Sequence, residues 1–188
     1  MSRWEPGGSG RLEQAAMELY LERGFEQTTV ADIAERAGLT ERTFFRHFVD
    51  KREVIFGGQA DFQQMFVDAV AGAPDAASPL DAVAAALHVA AAQFEPRRAW
   101  SRERQRVIDA NPALQERELV KLAAVASAIA AALRERGVNE PAASLAAQSG
   151  MTVFRVAFTQ WIADDNTREF AKIIDEALAA LTNVTSAG

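Results

Sequence analysis

Apolar residues between positions 28 and 51 recur at the spacing of two short helices with a turn between them. One face of the first helix carries Val30, Ile33, Ala34 and Ala37, at intervals of three and four residues. Thr28 or Thr29 is placed to cap this helix, and Asp32 lies in its first turn, where the helix dipole favours an anion. Gly38 predicts its end, because glycine adopts the left-handed backbone at which many helices stop. Thr40 then opens a second helix, and the pattern predicts two helices that meet at a steep angle.

The second helix, Thr40 to Phe48, has an apolar face and a mixed face. Phe44 and Phe48 lie four residues apart and are predicted core positions. The mixed face carries Glu41, Arg42, Phe45, Arg46 and His47. Such a helix is typical of those that enter the DNA major groove, where a guanidinium fork matches the O6 and N7 acceptors of guanine. Arg42 and Arg46 are therefore candidate guanine contacts. The alternative is a solvated surface, with His47 capping the helix end.

Beyond residue 51 the pattern is helical, with weak strand signals. Breaks rich in glycine, proline and asparagine separate six further helices near 51–70, 79–94, 97–109, 112–136, 141–163 and 167–182. With one helix before residue 24 and the two described above, the chain is predicted to be all-α with about nine helices. We expect two domains, 1–50 with a flexible N-terminal arm and 51–188.

Charge is distributed unevenly along the chain. Residues 36–52 contain five basic and two acidic residues, whereas the whole chain of 188 residues has a net charge of -6 and a pI near 5.0. A local positive surface on an acidic protein predicts confined, salt-sensitive binding to nucleic acid. Arg3, on the glycine-rich N-terminal arm, is placed to reach a neighbouring minor groove, and a disordered terminus is the alternative.

Several classes of protein are disfavoured by what the sequence lacks. It contains no cysteine and no apolar run of about 18 residues, so we expect a soluble cytoplasmic protein with no disulfide and no membrane partner. Its two histidines lie in unrelated contexts, and no phosphate-binding glycine loop, nucleophile elbow or metal-ligand cluster is present. We therefore expect neither an enzyme nor a cofactor or metal. A helical protein-interaction adaptor with a vestigial DNA-binding motif remains the alternative class.

The segment TTVADIAERAGLTERTFFRHFVDK, residues 28–51, resembles the helix-turn-helix signature of the tetracycline-repressor (TetR) family. That family's first helix and its Gly-Phe exit are matched by Ala15, Ala16, Leu19, Tyr20, Gly24 and Phe25, so the similarity covers about residues 11–56. The resemblance implies phosphate contacts from Thr28 or Thr29, Thr43, His47 and Lys51, and groove contacts from Thr40, Glu41, Arg42, Phe45 and Arg46. The family usually has tyrosine at Phe45, so we expect this ring to pack on a sugar or a thymine methyl.

Two C-terminal helices carry apolar stripes at helical spacing. The first stripe is Ala147, Met151, Phe154, Phe158 and Trp161 or Ile162, and the second is Phe170, Ile173, Ile174, Ala177 and Leu181. Each stripe needs a buried partner, either in its own domain or in a second subunit. The resemblance implies that these helices from two subunits form a four-helix interface, so we expect a homodimer that binds palindromic operator DNA.

The middle helices are expected to enclose the effector pocket of a ligand-responsive repressor. The candidate lining residues are Phe62, Met65, Phe66, Leu87, His88, Phe94, Trp100, Val107, Leu122, Val125, Met151, Phe154 and Phe158. Ordinary core packing predicts the same composition, and a structural role is the alternative for His88. The helix from Lys51 to Val70 is expected to link the pocket to the DNA-binding residues.

A cluster of arginines lies in the middle of the chain and consists of Arg97, Arg98, Arg102, Arg104 and Arg106. It is either a solvated helix face or an anchor for an anionic head group at the pocket mouth. An Arg-rich helix followed by a Pro-x-Leu start is similar to regulators of this family that sense fatty acyl-CoA. The expected effector is therefore an apolar or acyl-CoA-like small molecule.

Overall fold

The computed structural model describes residues 7–186, and Arg3 lies outside the described residues. Within that range the chain forms nine α-helices and two short 3-10 helices. The α-helices are α1 (Gly8–Arg23), α2 (Val30–Arg36), α3 (Glu41–His47), α4 (Gln59–Ala71), α5 (Pro79–Phe94), α6 (Arg98–Asp109), α7 (Pro112–Glu135), α8 (Ala142–Trp161) and α9 (Phe170–Ser186). The 3-10 helices are Glu53–Phe56 and Glu95–Arg97. The prediction of an all-α chain with about nine helices is confirmed.

The chain divides into two compact units, and the first contains the residues up to Gly58 together with Glu103–Leu119. Its core is built from α1, α2, α3 and the first 3-10 helix, and it also includes Val107, Ile108 and Leu114. Ile108 and Leu114 have no solvent exposure. The observed division therefore differs from the predicted boundary at residue 50, because a segment more than forty residues further along the chain completes this core.

The predicted helix 51–70 is interrupted, so the prediction of one continuous helix was wrong. Residues 53–56 form a 3-10 helix, and α4 begins only at Gln59. Between them, Gly58 has a φ of +77°, a conformation that side chains resist. At Gly57, a Cβ atom would clash with the carboxylate of Glu13. The segment that was expected to link the pocket to the DNA-binding residues is thus a four-residue 3-10 helix and the 13-residue helix α4, separated by two glycines.

The second unit contains Gln59–Arg102 and the residues from Val120 onward. Its alanine-rich helix α5 packs closely, since Ala82, Ala86 and Ala90 are buried and a Cβ atom added to Gly150 of α8 would lie 2.2 Å from Val83. Small side chains at these positions allow the two helix backbones to approach each other. No helix among residues 7–186 has the length and apolar character that crossing a membrane requires.

An aromatic cluster fills much of the second unit. Its members are Phe62, Phe66, Phe94, Phe154, Phe158, Trp161 and Phe170. Trp161 and Phe170 are stacked, with ring centroids 4.6 Å apart and an interplanar angle of 13°. Most other pairs meet edge to face, the geometry that aromatic rings prefer. The contacts join α4, α5, α8 and α9 into one core.

The predicted dimer stripes on α8 and α9 lie mainly inside their own unit. Five of their residues are completely buried there, namely Ala147, Trp161, Phe170, Ile173 and Ile174. Their assignment to a subunit interface is therefore wrong. Ile162, Ala177 and Leu181 are half-buried against the same core. Helical spacing shows that an apolar stripe packs against another surface, but it does not identify that surface. In this chain α5, α8 and α9 pack against one another and bury the stripes.

Candidate nucleic-acid interface

Helix α2 begins with a capping box. Thr29 Oγ1 accepts a hydrogen bond from the backbone N–H of Asp32 at 3.1 Å, and Asp32 Oδ2 accepts one from the backbone N–H of Thr29 at 2.8 Å. Arg23 Nη2 lies 2.8 Å from the same carboxylate oxygen. The hydrogen bond from the Thr29 hydroxyl, the bond from its backbone N–H and the Arg23 charge lower the pKa of Asp32 to about 2. Side chains before and within the first turn therefore fix the start of α2.

The turn between α2 and α3 depends on Gly38, whose φ is +65°. This left-handed residue lets the N–H of Leu39 donate to the carbonyl of Ala34 at 2.8 Å, which closes the end of α2. Thr40 then caps α3, because its hydroxyl accepts a hydrogen bond from the N–H of Thr43 at 3.2 Å. The predicted helix, glycine turn and second helix are confirmed at these residues.

Helix α3 buries one face and exposes the other. Phe44 is fully buried and Phe48 nearly so, which confirms both as core positions. Thr40, Glu41, Arg42, Phe45, Arg46 and His47 are all exposed. The ring of Phe45 is 56% exposed and meets Phe44 edge on, with centroids 5.4 Å apart. The exposed face thus presents two guanidinium groups and an aromatic ring to the same side.

Arg42 and Arg46 differ from three other arginines of the first unit. Neither has an ion pair or hydrogen bond among residues 7–186, whereas three neighbours in the sequence are paired with carboxylates. Arg23 pairs with Asp32, Arg36 with Glu18 and Glu22, and Arg52 with Asp50. The two guanidinium groups of α3 are therefore available for an external acceptor.

Two predicted phosphate contacts are corrected. Thr28 is fully buried, and its hydroxyl donates to the carbonyl of Gly24 at 2.9 Å. The Lys51 ammonium donates to the carbonyls of Phe25, Glu26 and Thr28 and lies 4.3 Å from the centroid of the Phe25 ring. Its three N–H donors are thus used within the chain. Both residues hold the segment between α1 and α2 together, and neither has a polar group free for phosphate.

The remaining predicted phosphate contacts are accessible to different degrees. Thr29 and His47 are exposed, and Thr43 is half-buried, with its hydroxyl 3.1 Å from that of Thr40. The segment behind them is fixed by Tyr20, whose hydroxyl donates to the Lys51 carbonyl at 2.6 Å. Burial raises the pKa of Tyr20, so this phenol remains a donor at any physiological pH. These supporting roles of Tyr20 and Lys51 were not predicted, because each joins residues 23 to 31 positions apart in the sequence.

Arg98, Arg102 and Arg104 of α6 bond to protein groups, which corrects their prediction as a head-group anchor; for Arg97 and Arg106 it stays a prediction. Arg98 donates to the carbonyl of Asn166. Arg102 donates to the carbonyls of Ile162 at 2.7 Å and Ala163 at 2.9 Å, and it also pairs with Asp164. These carbonyls follow the end of α8, where cations are favoured. Arg98 and Arg102 therefore stabilise that helix end, and their guanidinium groups are engaged there.

Arg104 has a separate role in the first unit. Its Nε donates to the carbonyl of Ile55 at 3.0 Å, and its Nη1 lies 3.1 Å from Glu118. The guanidinium also lies 5.0 Å from the centroid of the Phe56 ring. Burial lowers the pKa of Arg104, and the Glu118 charge opposes that shift. Arg104 thus attaches α6 and α7 to the 3-10 helix that follows the helix-turn-helix.

The predicted pocket residues separate into two groups. Most lie in the core of the second unit, where Leu87, Val125 and Met151 are buried beside the aromatic cluster and Met65 and Leu122 are half-buried against it. Three others are corrected. Val107 belongs to the core of the first unit, Trp100 is exposed, and His88 is partly exposed, with Nε2 3.0 Å from Asp175 Oδ1.

Two family models match this chain. Residues 13–56 match the model of bacterial regulatory proteins of the tetR family, and residues 77–186 match the model of the MftR C-terminal domain. The first match contains α2, the glycine turn and α3. The second covers more than half of the chain.

Individual proteins are similar over different lengths. A Mycobacterium tuberculosis protein named as a mycofactocin biosynthesis transcriptional regulator, MftR, is 26% identical over 180 residues, which are 94% of this chain and 88% of that protein. The transcriptional regulator TcmR of Streptomyces glaucescens is 40% identical over 76 residues, so the matched segment is 40% of this chain and spans only 34% of TcmR.

A solved structure supports the fold. The transcriptional regulator FadR of Bacillus subtilis, determined in complex with stearoyl-CoA, has a TM-score of 0.65 at 18% sequence identity and covers 92% of this chain and 96% of its own. The N-terminal match contains the exposed helix α3, and the C-terminal match contains the helical core of the second unit. The chain therefore belongs to the TetR family of bacterial regulatory proteins and is a DNA-binding transcriptional regulator.

Proposed function

We propose that this regulator is a cytoplasmic, ligand-responsive repressor that binds a palindromic operator as a homodimer. The observation that carries the DNA-binding part is that Arg42 and Arg46, on the exposed face of α3, have no partner within the described range 7–186. A guanidinium matches the two acceptors of guanine in the major groove, and the other arginines near α2 and α3 are held by carboxylates. We assign base contacts to Arg42 and Arg46, with Thr40, Glu41 and Phe45 beside them.

Phosphate contacts are assigned to the exposed polar groups around α3. Thr29 contributes an exposed hydroxyl that also bonds to Asp32, Thr43 a half-buried hydroxyl beside that of Thr40, and His47 an exposed imidazole at the end of the helix. Contacts of this kind fix the register of a recognition helix on the duplex without reading its sequence. Thr28 is left out of the assignment because it is fully buried, and Lys51 because its ammonium donates to three backbone carbonyls.

The dimer is assigned to the outward faces of α8 and α9. These faces retain exposed apolar side chains after the intrachain core is complete, including Leu145, which is 63% exposed, Val156 and Val184. Thr152 and Thr159 lie on the same outward side of α8, and small or hydroxylated residues permit close helix packing. A twofold partner is also what a palindromic operator requires, with recognition helices ~34 to 36 Å apart.

The effector is assigned to the aromatic core of the second unit, as an apolar molecule. Phe62, Phe94 and Phe158 are half-buried members of the aromatic cluster. The similar FadR of Bacillus subtilis was solved with stearoyl-CoA, which supports a long acyl chain as the first compound to test. An effector that prefers one separation of the recognition helices weakens operator binding by about 5- to 150-fold, the usual range of allosteric coupling.

Binding to DNA is tested with purified protein and duplexes from the region that flanks its own coding sequence, supplemented by selection from random duplexes. We expect tight, sequence-selective binding that weakens steeply with salt and is lost in the Arg42→Ala and Arg46→Ala double variant. The Arg134→Ala and Arg168→Ala double variant is the matched control, since these arginines pair with Glu140 and Glu176 in the second unit and the same two charges are lost. Dimerisation without any selective DNA binding would instead favour the adaptor class.

The interface is tested by Val156→Arg, followed by light scattering across a concentration series. We expect a monomer with unchanged helicity, because a charge on the outward face of α8 blocks a second copy but does not enter the core. Val89→Arg on α5 is the control, since Val89 is also an exposed apolar residue. A dimer of equal strength in both variants would place the interface elsewhere.

The effector is tested by thermal unfolding and operator release with a long-chain acyl-CoA, with free CoA and the free fatty acid compared separately. A ligand at 100 times its Kd adds about 2.7 kcal/mol, which corresponds to roughly 5–10 °C in a chain of this size. Phe158→Ala is expected to reduce the shift. No shift with any acyl compound would remove this effector class and leave the DNA-binding assignment intact.

A further inference from the structure

Phe45 is an exposed aromatic residue in the middle of a charged surface. It is 56% exposed, while the other phenylalanines at α3, Phe44 and Phe48, are buried. Arg42 lies one turn before it and Arg46 directly after it, and both are exposed. An apolar ring at this place contributes most when binding removes it from water. Because Arg42 and Arg46 flank Phe45, we expect the Phe45 ring to be covered when these arginines bind DNA.

The ring is held in a defined position. The buried Phe44 supports it edge on, at 5.4 Å between centroids and an interplanar angle of 81°. Such pairs are favourable in this geometry, so less side-chain freedom is lost when the ring is covered by a ligand. Phenylalanine has no hydroxyl, so it makes no hydrogen bond to a phosphate or to a base. Only an apolar contact remains open to it.

The major groove offers one apolar group to such a ring, the C5 methyl of thymine. We infer that Phe45 contacts a thymine methyl in each operator half-site and thereby specifies the base pair beside those contacted by Arg42 and Arg46. The inference rests on the proposed operator binding and deepens it. It identifies Phe45 as a specificity-determining residue that reads a methyl group, whereas the two arginines read hydrogen-bond acceptors.

The expected size of the effect follows from the contact. Removing one buried methyl costs about a factor of four in affinity, which is the usual cost for one methylene of apolar burial. Two symmetric half-sites contribute independently, so removal from both gives roughly 15-fold. A phosphate or hydrogen-bonding role for position 45 gives no such dependence on the methyl group.

The experiment uses the full chain and an operator obtained by selection from random duplexes. Each thymine is replaced in turn by deoxyuridine, which removes the methyl and keeps the pairing with adenine. We expect one position per half-site to weaken wild-type binding about fourfold, and cytosine at that position to regain affinity when it is 5-methylated. In Phe45→Ala, the deoxyuridine and thymine operators are expected to bind equally.

Arg46→Ala is the matched control, because it should weaken binding but keep the deoxyuridine effect. If Phe45→Ala binds too weakly to measure, Phe45→Leu, which keeps a smaller apolar side chain, is expected to show a reduced deoxyuridine effect. A selected operator that tolerates deoxyuridine at every position in the wild type overturns the inference alone. An effect that is unchanged in Phe45→Ala also overturns it. Failure to select any operator overturns the proposed function and the inference together.

Discussion

In α3, Arg42 and Arg46 have no bonding partner among residues 7–186, whereas in α6 three arginines donate hydrogen bonds to groups of the protein. Arg98 and Arg102 bond to carbonyls after α8, and Arg104 bonds to Ile55 and Glu118. The sequence makes α6 the more basic helix. The availability of a guanidinium for an external anion is therefore determined by acceptors nearby in the fold and not by the density of arginines along the chain.

The largest effect on stability is expected from Arg104→Ala. This change removes one member of a largely buried ion pair and leaves Glu118, whose side chain is only 22% exposed, with only the neutral amide of Gln105 bonded to its carboxylate. We expect a loss of about 2–4 kcal/mol in the free energy of unfolding, measured by urea denaturation. Arg97→Ala, at an exposed position, is the control and should change stability by less than about 0.5 kcal/mol. Equal stability of the two variants would mean that the contacts of Arg104 with Ile55 and Glu118 do not stabilise the fold.

Arg46→Lys tests what the unpaired guanidinium groups do. Lysine keeps the charge but loses the planar fork, so a base contact is weakened whereas a simple phosphate contact is largely retained. We expect operator affinity to fall by roughly 1–2 kcal/mol, about tenfold, with an unchanged salt slope and unchanged melting temperature. Fluorescence anisotropy across a salt series measures both quantities. Full affinity in this variant would assign Arg46 to the phosphate backbone.

Arg102→Ala is expected to have a smaller effect and only on stability. Two carbonyls near the end of α8 lose their donor, which costs about 1–2 kcal/mol in the free energy of unfolding because water replaces part of the bonding. Operator affinity of the folded variant should remain within twofold of the wild type. A strong loss of DNA binding without loss of stability would contradict the distinction between the bonded arginines of α6 and the exposed arginines of α3. Arg102 would then act on DNA as Arg42 and Arg46 are proposed to do.

The smallest effect on stability is expected from Asp32→Asn, which removes the carboxylate that pairs with Arg23. The pKa of Asp32 is lowered from 3.8 to about 2 in the folded chain, first by the hydrogen bonds from Thr29. A lowered carboxylate pKa stabilises the fold above pH 3.8, and this contribution is lost as the pH falls towards 2. We expect Asp32→Asn to melt slightly below the wild type at pH 6 and to match it near pH 2. A constant difference between pH 6 and pH 2 would exclude the ionised carboxylate as the cause.

The helix-turn-helix was predictable because its determinants are close together in the sequence. Gly38, Thr40 and Phe44 act through hydrogen bonds and contacts with residues a few positions away. Spacing alone therefore specifies which side of α3 is buried. The number of helices followed from the same short-range periodicity and from the breaks at glycine and proline.

The errors concern partners that are distant in the sequence. Lys51 bonds to carbonyls 23 to 26 residues away, and Arg102 bonds to carbonyls about 60 residues away. Periodicity contains no information about such pairs. For the same reason the stripe on α9 predicted a buried partner correctly but not that α5 and α8 of the same chain provide it.

The segment Glu103–Leu119 has a consequence for engineering and for evolution. Because it completes the first core with Ile108 and Leu114, a fragment ending at Gly58 lacks two of its fully buried residues. The unit that reads DNA is therefore discontinuous along the gene. A chimaera that exchanges the second unit would have to keep Glu103–Leu119 together with the N-terminal helices. Recombination at a single crossover point therefore does not transfer an intact DNA-binding unit.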